Sequence, residues 1–462
     1  MPKEHLEIRH AIKPQISRLG LASVIFFVVS GGAYGLEPLV GSLGAGWAVA
    51  FIAIAPLVWC LPVAAMVSEL SSMMPEEGGY YAWVREGLGE FWGFQEGWWT
   101  LCYTAVDMAI YPVLFVDYLA YFCPSLQLPA DHPAALKVSL LRWLVALAVI
   151  GTAFFINWRG IHLVGKSSIL TLILVLSPFA LLTIIGFSRP GAMGRMFSAI
   201  RTGLAHGHSG HLLALGVAIV LWNYSGWDNV STFAAEVKDA PRAYPFALIS
   251  ALLLITIAYL LPVLAGIGTT TSPALWSESA GWPEIARAVA GHWLAIAVAA
   301  MGVVSAWSMF NSQLLYISRL PYAMARDGWF PPIFAKISLL TGVPVAALAV
   351  TCVVAGFAAA LPFTKLVVVD ILLYSTELLL EFLALIVLRV KKPHVDRPFR
   401  VPGGWPGVIL ITALPMGLAL MVAVTTAQGS RTGFEQLLAV PAVILSGFLI
   451  YFIKRGAFRR AV

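Results

Sequence analysis

The stretch VVSGGAYGLEPLVG, residues 28–41, is the part of this sequence that decides the fold. It lies in the first strongly apolar segment, where three glycines precede the carboxylate of Glu37 and a proline follows it. Glycine weakens a helix and proline interrupts its hydrogen bonds. Within a membrane, an unwound backbone is tolerated only where it faces protein or a water-filled cavity. The stretch therefore predicts a membrane helix that is broken in its middle beside a cavity.

The composition of the whole chain is that of an integral membrane protein. Of its 462 residues, 60% are hydrophobic and 11% are charged, whereas soluble domains carry about 25% charged residues. A helix needs roughly 20 apolar residues to cross the hydrocarbon, and the apolar runs do not alternate as the strands of a membrane barrel do. We predict an all-α membrane protein with twelve transmembrane helices. They cover residues 19–40, 46–73, 90–123, 137–157, 163–187, 211–235, 243–268, 285–320, 343–361, 364–389, 405–427 and 437–453.

The distribution of positive charge predicts the orientation. Of the 29 Lys and Arg residues, 21 lie on the N-terminal side of the twelve spans and 8 on the other side. Because positively charged loops stay in the cytoplasm, we expect a multi-pass protein of the cell membrane with both termini cytoplasmic. No cleavable signal peptide is expected, since the first apolar run is long and lacks a small-residue cleavage site. The net charge of +6 then reflects topology and contact with the lipid bilayer, and no nucleic-acid partner is implied.

A second break, in NYSGWDN at residues 223–229, follows the first by about 190 residues. Each half of the chain holds five spans, an odd number, so a duplicated half would be inverted relative to the other. The alternative is a pair of glycine kinks without a ligand, since glycine is frequent in membrane helices. We expect inverted repeats whose broken helices 1 and 6 meet at a substrate site. The expected segments are an N-terminal segment at 1–18, repeat 1 at 19–188, repeat 2 at 211–390, two extra helices at 404–453 and a tail at 454–462.

Seven carboxylates of the apolar spans are candidates for a functional role. An Asp at the centre of a membrane helix costs about 2.5–3.5 kcal/mol on insertion scales, so such residues usually face a cavity or a partner. The nearest basic residues, Lys166, Arg319 and Lys365, lie close to span ends. Buried anions without protein cations favour a cationic ligand, or protons, as their partner. The seven are Glu37, Asp107, Asp117, Asp228, Asp370, Glu377 and Glu381.

These acids differ in their sequence surroundings. Asp107 has Tyr103 and Tyr111 four residues away on either side, hence on its own helical face. Glu377 and Glu381 are also four residues apart, and because two like charges repel, the pair is suited to carrying a proton. The alternative is that one of them accepts hydrogen bonds from neighbouring helices. Aromatic rings attract ammonium groups by about 0.5–2 kcal/mol, and those nearest a break or a buried acid are Tyr34, Tyr111, Trp222 and Trp227.

Metal and covalent chemistry have little support in the sequence. The cysteines, Cys60, Cys102, Cys123 and Cys352, are scattered singly among apolar residues and predict neither a disulfide framework nor a metal site. The HGHSGH run at 206–211 would bind Zn²⁺ only if its histidines converged, and the simpler interpretation is a solvated loop. Since the chain shows no nucleophile paired with a base, we expect no enzyme activity, no cofactor and no bound metal.

Several motifs are distinctive in combination. SGGAYG at 30–35 contains the first break, AAEVKDAPRAYPFAL spans 234–248, and ISRLPYAMARDGWFPPIFAKIS spans 317–338. These resemble the helix 1 break, the inner end of helix 6 and the segment before helix 9 of the amino acid, polyamine and organocation transporter superfamily. The resemblance extends over essentially the whole chain. Within that superfamily, the polyamine uptake transporters and their neighbours, the L-type amino-acid transporters, are most similar to residues 93–119, 221–232 and 380–402.

The resemblance implies a five-plus-five inverted repeat with broken helices 1 and 6, two extra helices, and a site at the breaks. By position, Ser30, Gly31, Gly32 and Ala33 would hold the polar head of a substrate, with Gly226 in the partner break. Some members place a lysine deep in helix 5 instead of sodium, but Lys166 is too near the end of its span for that role. The full set of expected substrate-binding residues is Ser30, Gly31, Gly32, Ala33, Tyr34, Glu37, Asp107, Tyr111, Trp222, Asn223, Tyr224, Gly226, Trp227, Asp228 and Tyr374. Those expected to act in proton coupling or gating are Glu377, Glu381 and Glu236.

These observations predict secondary active transport of organic cations, such as putrescine or spermidine, by alternating access with protons as the candidate coupling ion. The alternative is an amino-acid permease or exchanger, in which the helix 1 break holds a carboxylate. A channel is less favoured because rings of repeated polar residues are missing. Glu37 is either a substrate ligand or a gate at the outer mouth. Some L-type carriers hold an accessory subunit through a cysteine in an outer loop. Here the only cysteine near a predicted outer loop is Cys123, and its position suits the end of a span. No accessory subunit is therefore expected.

Overall fold

The computed structural model describes residues 16–76, 78–128, 132–159, 162–232, 234–276, 281–338, 341–360, 363–429 and 438–461. The regular elements within these ranges are helical, and Ile16 and Val237 form an isolated bridge. The prediction of an all-α protein is therefore confirmed for the described chain. Residues 1–15 of the predicted N-terminal segment, and the side chains of Lys166 and Lys365, lie outside the described part.

The helices follow one another with short connections. The α-helices are α1 (Arg18–Val29), α2 (Glu37–Ala55), α3 (Leu61–Met73), α4 (Gly79–Leu88), α5 (Glu90–Leu119), α6 (His132–Trp158), α7 (His162–Ser188), α8 (Ala192–Ala205), α9 (Gly210–Asn223), α10 (Ala240–Thr269), α11 (Pro273–Trp276), α12 (Trp282–Ala290), α13 (His292–Ile317), α14 (Arg319–Arg326), α15 (Val345–Ala358), α16 (Phe363–Lys391), α17 (Gly404–Gly429) and α18 (Ala439–Ala461). A π-helical turn at Pro56–Cys60 joins α2 to α3. Turns of 3-10 helix occur at Pro124–Leu126, Asn229–Thr232, Ala234–Glu236 and Pro332–Ala335.

Eight helical segments of the described chain are long and apolar enough to cross a membrane. They are Glu37–Met73, Glu90–Leu119, Ala135–Trp158, Ile169–Ser188, Ala240–Thr269, His292–Arg326, Val369–Lys391 and Gly404–Thr425. Shorter apolar helices occupy Arg18–Val29, Leu212–Asn223 and Val345–Ala358. One predicted span begins later than expected: span 8, placed at 285–320, starts at His292 because Gly291, with φ 87°, separates α12 from α13.

The first break lies between α1 and α2. The N–H of Ser30 still bonds to the last turn of α1, and Ser30 itself is extended, with φ −146° and ψ 147°. Gly32 and Gly35 then have φ 94° and 87°, a left-handed backbone that suits glycine. α2 begins at Glu37 with Pro38 in its first turn, where the missing N–H has no intrahelical partner to lose. The chain is thus unwound where the glycines predicted it.

The second break follows α9, which ends at Asn223. Residues 224–228 are non-helical, and two short 3-10 turns precede α10. Gly226 has φ 93°, and a Cβ atom on it would lie 3.2 Å from the carbonyl oxygen of Val28. Because Val28 belongs to the last turn of α1, the two breaks adjoin.

α5 runs through the centre of the bundle. It packs most extensively against α13 and α16, while α10 packs against α1 and α7. The buried face of α5 carries polar residues at intervals of three and four, and these are Glu96, Thr100, Tyr103, Asp107 and Tyr111. A polar helical face therefore lies in the middle of an apolar bundle.

Candidate functional site

A cavity lies where the two breaks meet α5, α13 and α16. Gly31 of the first break and Gly226 of the second line it, together with Asp107, Gln313 and Asp370. Its volume is about 20 Å³, measured as the space open to the centre of a water molecule, which is room for one or two waters. The cavity is narrow and has to widen before it admits an organic ligand.

Asp107 is held by several hydrogen bonds in this cavity. The Tyr111 hydroxyl lies 2.8 and 2.9 Å from its two carboxylate oxygens. Trp222 Nε1 donates to Oδ1 at 3.3 Å, and Gln313 Nε2 donates to Oδ2 at 3.1 Å. All three donors are neutral, so they orient the carboxylate without balancing its charge. The structure therefore brings the predicted residues Asp107, Tyr111 and Trp222 together.

Asp370 is a second acid in the same cavity, and it was not among the predicted site residues. Its side chain is 2% exposed, and its Oδ1 atom has no hydrogen-bond partner in the described structure. It lies within electrostatic range of Asp107. The spacing in the sequence could have indicated this position, because Asp370 precedes the predicted site residue Tyr374 by four residues and so lies on the same face of α16. The cavity thus holds two acidic side chains and no Lys, Arg or His among its described lining residues.

Tyr374 links α16 to the second break. Its hydroxyl accepts a hydrogen bond from the N–H of Gly226 at 3.2 Å and donates one to Asp228 Oδ1. The other oxygen of Asp228 is buried without a partner in the described structure. Asp228 is fully buried and lies one contact away from the cavity wall.

The predicted substrate-binding residues divide into two groups. Eight of the fifteen line the cavity: Gly31, Tyr34, Asp107, Tyr111, Trp222, Asn223, Gly226 and Tyr374. The other seven are buried around it: Ser30, Gly32, Ala33, Glu37, Tyr224, Trp227 and Asp228. Some of these hold the breaks in shape, since Ser30 Oγ accepts from the Gly32 N–H at 3.1 Å and Trp227 Nε1 donates to the Tyr224 carbonyl at 2.7 Å. Lining residues absent from the prediction include Tyr103, Asn229, Ser305, Met309, Gln313 and Asp370.

Glu37 is held by neutral donors beside the cavity. It accepts hydrogen bonds from the Gly35 N–H at 2.7 Å, the Tyr118 hydroxyl at 2.6 Å and the Trp282 N–H at 3.4 Å. Trp282 begins α12, and its indole Nε1 also donates to the Ala33 carbonyl at 2.7 Å. Glu37 therefore ties α12 to the first break.

A further group of acids lies along α5 and α16. Glu96, Glu377 and Glu381 are all 1% exposed or less. The Thr100 hydroxyl donates to Glu377 Oε2, whereas both oxygens of Glu96 and of Glu381 have no partner among the described residues. Glu96 was not predicted, although it stands eleven residues before Asp107, which is three helical turns on one face.

Glu236 lies at the end of the bundle that holds Ile16. It pairs with Arg319, whose Nε is 3.2 Å from Glu236 Oε1, and both side chains are less than one-tenth exposed. The Ile16 N–H donates to the Glu236 carbonyl at 3.2 Å. Arg18 pairs with Asp239 at 2.8 Å in the same region. These contacts close that end of the bundle.

One predicted buried acid outside these clusters has simpler surroundings. Asp117 of α5 pairs with Arg142 of α6, as suits a carboxylate near a helix end. Among the described residues, no group of His, Cys, Asp or Glu is arranged to hold a metal ion. The cavity and the acids of α5 and α16 are therefore the features that call for a functional account.

Several known proteins are similar to this chain over most of its length. The model of the amino acid permease family matches residues 16–448. A probable polyamine transporter of Arabidopsis thaliana is 32% identical over 443 residues, covering 95% of this chain and 87% of the relative. A polyamine transporter of Oryza sativa subsp. japonica is 33% identical over 413 residues, covering 89% and 74%. A glutamate/serine transporter of Bacillus subtilis (strain 168) is 26% identical over 342 residues, covering 67% and 60%.

Two adjoining helix breaks around a narrow polar cavity, in a bundle of long apolar helices, are typical of a membrane-embedded transporter. The chain belongs to the amino acid permease family, within the amino acid, polyamine and organocation superfamily. The resemblance predicted from the motifs is thereby confirmed.

Proposed function

We propose that the protein transports organic cations with more than one ammonium group, such as putrescine or spermidine, by alternating access. The observation that carries the proposal is the pair Asp107 and Asp370 in one narrow cavity whose described walls hold no cationic side chain. Desolvated carboxylates need a positive partner, and a substrate ammonium supplies it. The names of the Arabidopsis and Oryza relatives, at 32% and 33% identity, support the same substrate class.

Each part of the cavity wall has a role in this proposal. One ammonium group binds between Asp107 and Asp370. Tyr111 and Trp222, with ring centroids 6.4 Å apart, present aromatic surface to the cation and to its methylene chain. The break at Gly31 offers unwound backbone to the polar end of the substrate.

The proposed topology has twelve spans in a five-plus-five inverted repeat. Residues 19–188 and 211–390 form the repeats, and α17 and α18 are the extra helices. Both termini face the cytoplasm, and the protein resides in the cell membrane. This arrangement is supported by the adjoining breaks and by the excess of Lys and Arg, 21 against 8, on the N-terminal side.

In this orientation each side of the cavity has its own closing contacts. The buried pair of Glu236 and Arg319 closes the cytoplasmic side. Glu37, which binds α12 through Trp282, closes the outer side and acts as a gate. Glu377 and Glu381 remain the candidates for proton exchange, because they are buried, lie on one helical face and have oxygens without partners in the described structure.

A second candidate function is that of an amino-acid permease or exchanger. Gly31 lines the cavity at the helix break, a position suited to a substrate carboxylate, and the Bacillus relative is named a glutamate/serine transporter. The anionic cavity weighs against it, because a substrate carboxylate would face two like charges, those of Asp107 and Asp370.

The two candidates are separated by a binding and uptake panel on the purified full-length protein in proteoliposomes. Putrescine and spermidine should raise the melting temperature and should be taken up, whereas serine and glutamate should not. Asp107→Asn should abolish amine uptake while the protein stays monodisperse. Glu90→Gln, which removes an exposed carboxylate from the start of the same helix, is the matched control. Stabilisation by neutral amino acids alone would overturn the organic-cation proposal.

A further inference from the structure

The acids of α5 and α16 lie at two levels. Asp370 and Asp107 line the same cavity, and Glu377 accepts a hydrogen bond from Thr100, which lies one helical turn after Glu96. Asp107 follows Glu96 along α5, whereas Asp370 precedes Glu377 along α16. The two helices therefore run antiparallel with their acids facing in pairs. We call Asp107 with Asp370 the cavity level, and Glu96 with Glu377 the inner level.

The inner level contains buried polar atoms that lack partners. Both oxygens of Glu96 and Oε1 of Glu377 accept no hydrogen bond from any described residue. Tyr80, a fully buried residue of α4, also has a hydroxyl without a partner among the described residues, and α4 packs against both α5 and α16. Groups of this kind are normally satisfied in folded proteins, because leaving them bare costs free energy. The inner level therefore offers free acceptor oxygens to a ligand that donates hydrogen bonds.

The spacing of the two levels follows from helix geometry. At about 1.5 Å per residue, the step from Asp370 to Glu377 spans about 10 Å, and that from Glu96 to Asp107 about 16 Å. An extended chain covers about 3.3–3.6 Å for every three bonds. The terminal nitrogens of putrescine are therefore about 6 Å apart, those of spermidine about 11 Å and those of spermine about 15 Å.

We propose that the inner level is a second ammonium subsite, through which the protein prefers triamines and tetraamines to short diamines. This inference rests on the proposed transport of organic cations and defines its substrate more closely. Tyr103 and Tyr374 stand between the two levels along their helices, with ring centroids 5.4 Å apart. Their rings pack against the methylene groups of a ligand that spans both levels, and Asp228, bonded to Tyr374, adds negative charge beside the inner level.

The first test uses the wild-type protein and a ligand series. Inhibition of labelled spermidine uptake is measured for α,ω-diamines that lengthen from the four-carbon to the ten-carbon chain. Alkyl monoamines of matched length control for the added apolar surface. The longest diamines should inhibit about tenfold or more better than both their matched monoamines and putrescine, the gain expected from one added charged hydrogen bond. A gain from length that the monoamines share equally would overturn the second subsite.

The second test removes a charge of the inner level. Glu96→Gln should weaken spermidine binding by about ten- to hundredfold, while putrescine affinity stays within about twofold of the wild-type value. Glu96→Asp, which keeps the charge, should retain most of the preference for spermidine and covers the case in which the amide variant does not fold. Glu90→Gln should change neither affinity. Equal losses for putrescine and spermidine would overturn the subsite and leave organic-cation transport standing, whereas a wild-type protein that carries no amine of any length would overturn the proposed function itself.

Discussion

Asp370→Asn removes one negative charge from the cavity with little effect on the fold. The Oδ1 atom of Asp370 accepts no hydrogen bond from a described residue, and the amide has nearly the shape of the carboxylate. No donor then loses its acceptor, and no void forms. Since a buried carboxylate without a cation carries an uncompensated desolvation cost, the free energy of unfolding should stay within about 1 kcal/mol of the wild-type value or rise.

The effect of Asp370→Asn on substrate affinity should be much larger. A hydrogen bond to a charged group contributes about 1.5–3 kcal/mol, and each 1.4 kcal/mol changes a dissociation constant about tenfold. Amine affinity should therefore fall by about 10- to 150-fold. Asp107, which keeps its donors Tyr111, Trp222 and Gln313, should retain its orientation in this variant.

The assay is a competition experiment on spermidine uptake in proteoliposomes, with melting temperature as the measure of folding. Glu90→Gln serves as the matched control for loss of a carboxylate outside the cavity. A folded Asp370→Asn protein with wild-type amine affinity would refute the reasoning that the cavity selects its substrate by charge.

Three other substitutions test the second helix break, the buried pair of Glu236 and Arg319, and the surface pair of Glu86 and Lys392. Gly226→Ala forces a side chain onto a backbone with φ 93° and places its Cβ 3.2 Å from a carbonyl oxygen of α1, so it should lower stability by about 1–3 kcal/mol. Gly417→Ala, in the interior of α17 with nothing within 4 Å, should not lower the melting temperature, because alanine favours a helix over glycine. Arg319→Met leaves the carboxylate of Glu236 buried without its cation. It should lower the free energy of unfolding, measured by denaturant titration, by about 3–5 kcal/mol. No such loss would be seen if the pair were only a surface contact. The hydrogen bond from Lys392 lowers the pKa of Glu86 from 4.5, so this pair contributes stability above that value and loses it only as pH falls through the lowered pKa. Glu86→Gln should therefore keep the wild-type pH profile of uptake between about pH 5 and 8. A displaced profile would contradict the conclusion that Glu86 titrates below this range.

The helix breaks could be predicted from the sequence because they depend on local chemistry. Gly32, Gly35 and Gly226 all adopt φ values near 90°, which few other residues tolerate. The position of Asp107 among aromatic residues was also predictable, since Tyr111 lies one helical turn away. Local chemistry and spacing thus located eight of the twenty-two residues that line the cavity.

The rest of the site depends on which helices meet, and a single sequence does not contain that information. Asp370 and Gln313 enter the cavity because α16 and α13 pack on α5. Glu37 looked equivalent to Asp107 as a buried acid, yet α12 supplies it with the backbone N–H of Trp282. Glu96 was overlooked because it stands near the start of its span, where a carboxylate is ordinarily solvated. In each case a partner distant in sequence decides what a buried acid does.

The contacts that close the cytoplasmic end of the proposed topology differ in strength. Arg18 and Asp239 are 50% and 46% exposed, so their ion pair contributes about 0–1 kcal/mol. The backbone bonds of Ile16 add about 0.5–1.5 kcal/mol each. Breaking the buried pair of Glu236 and Arg319 would cost about 3–5 kcal/mol. Taken one by one, the polar contacts of α1 at this end are therefore weaker than the buried pair that joins the segment after the second break to α14.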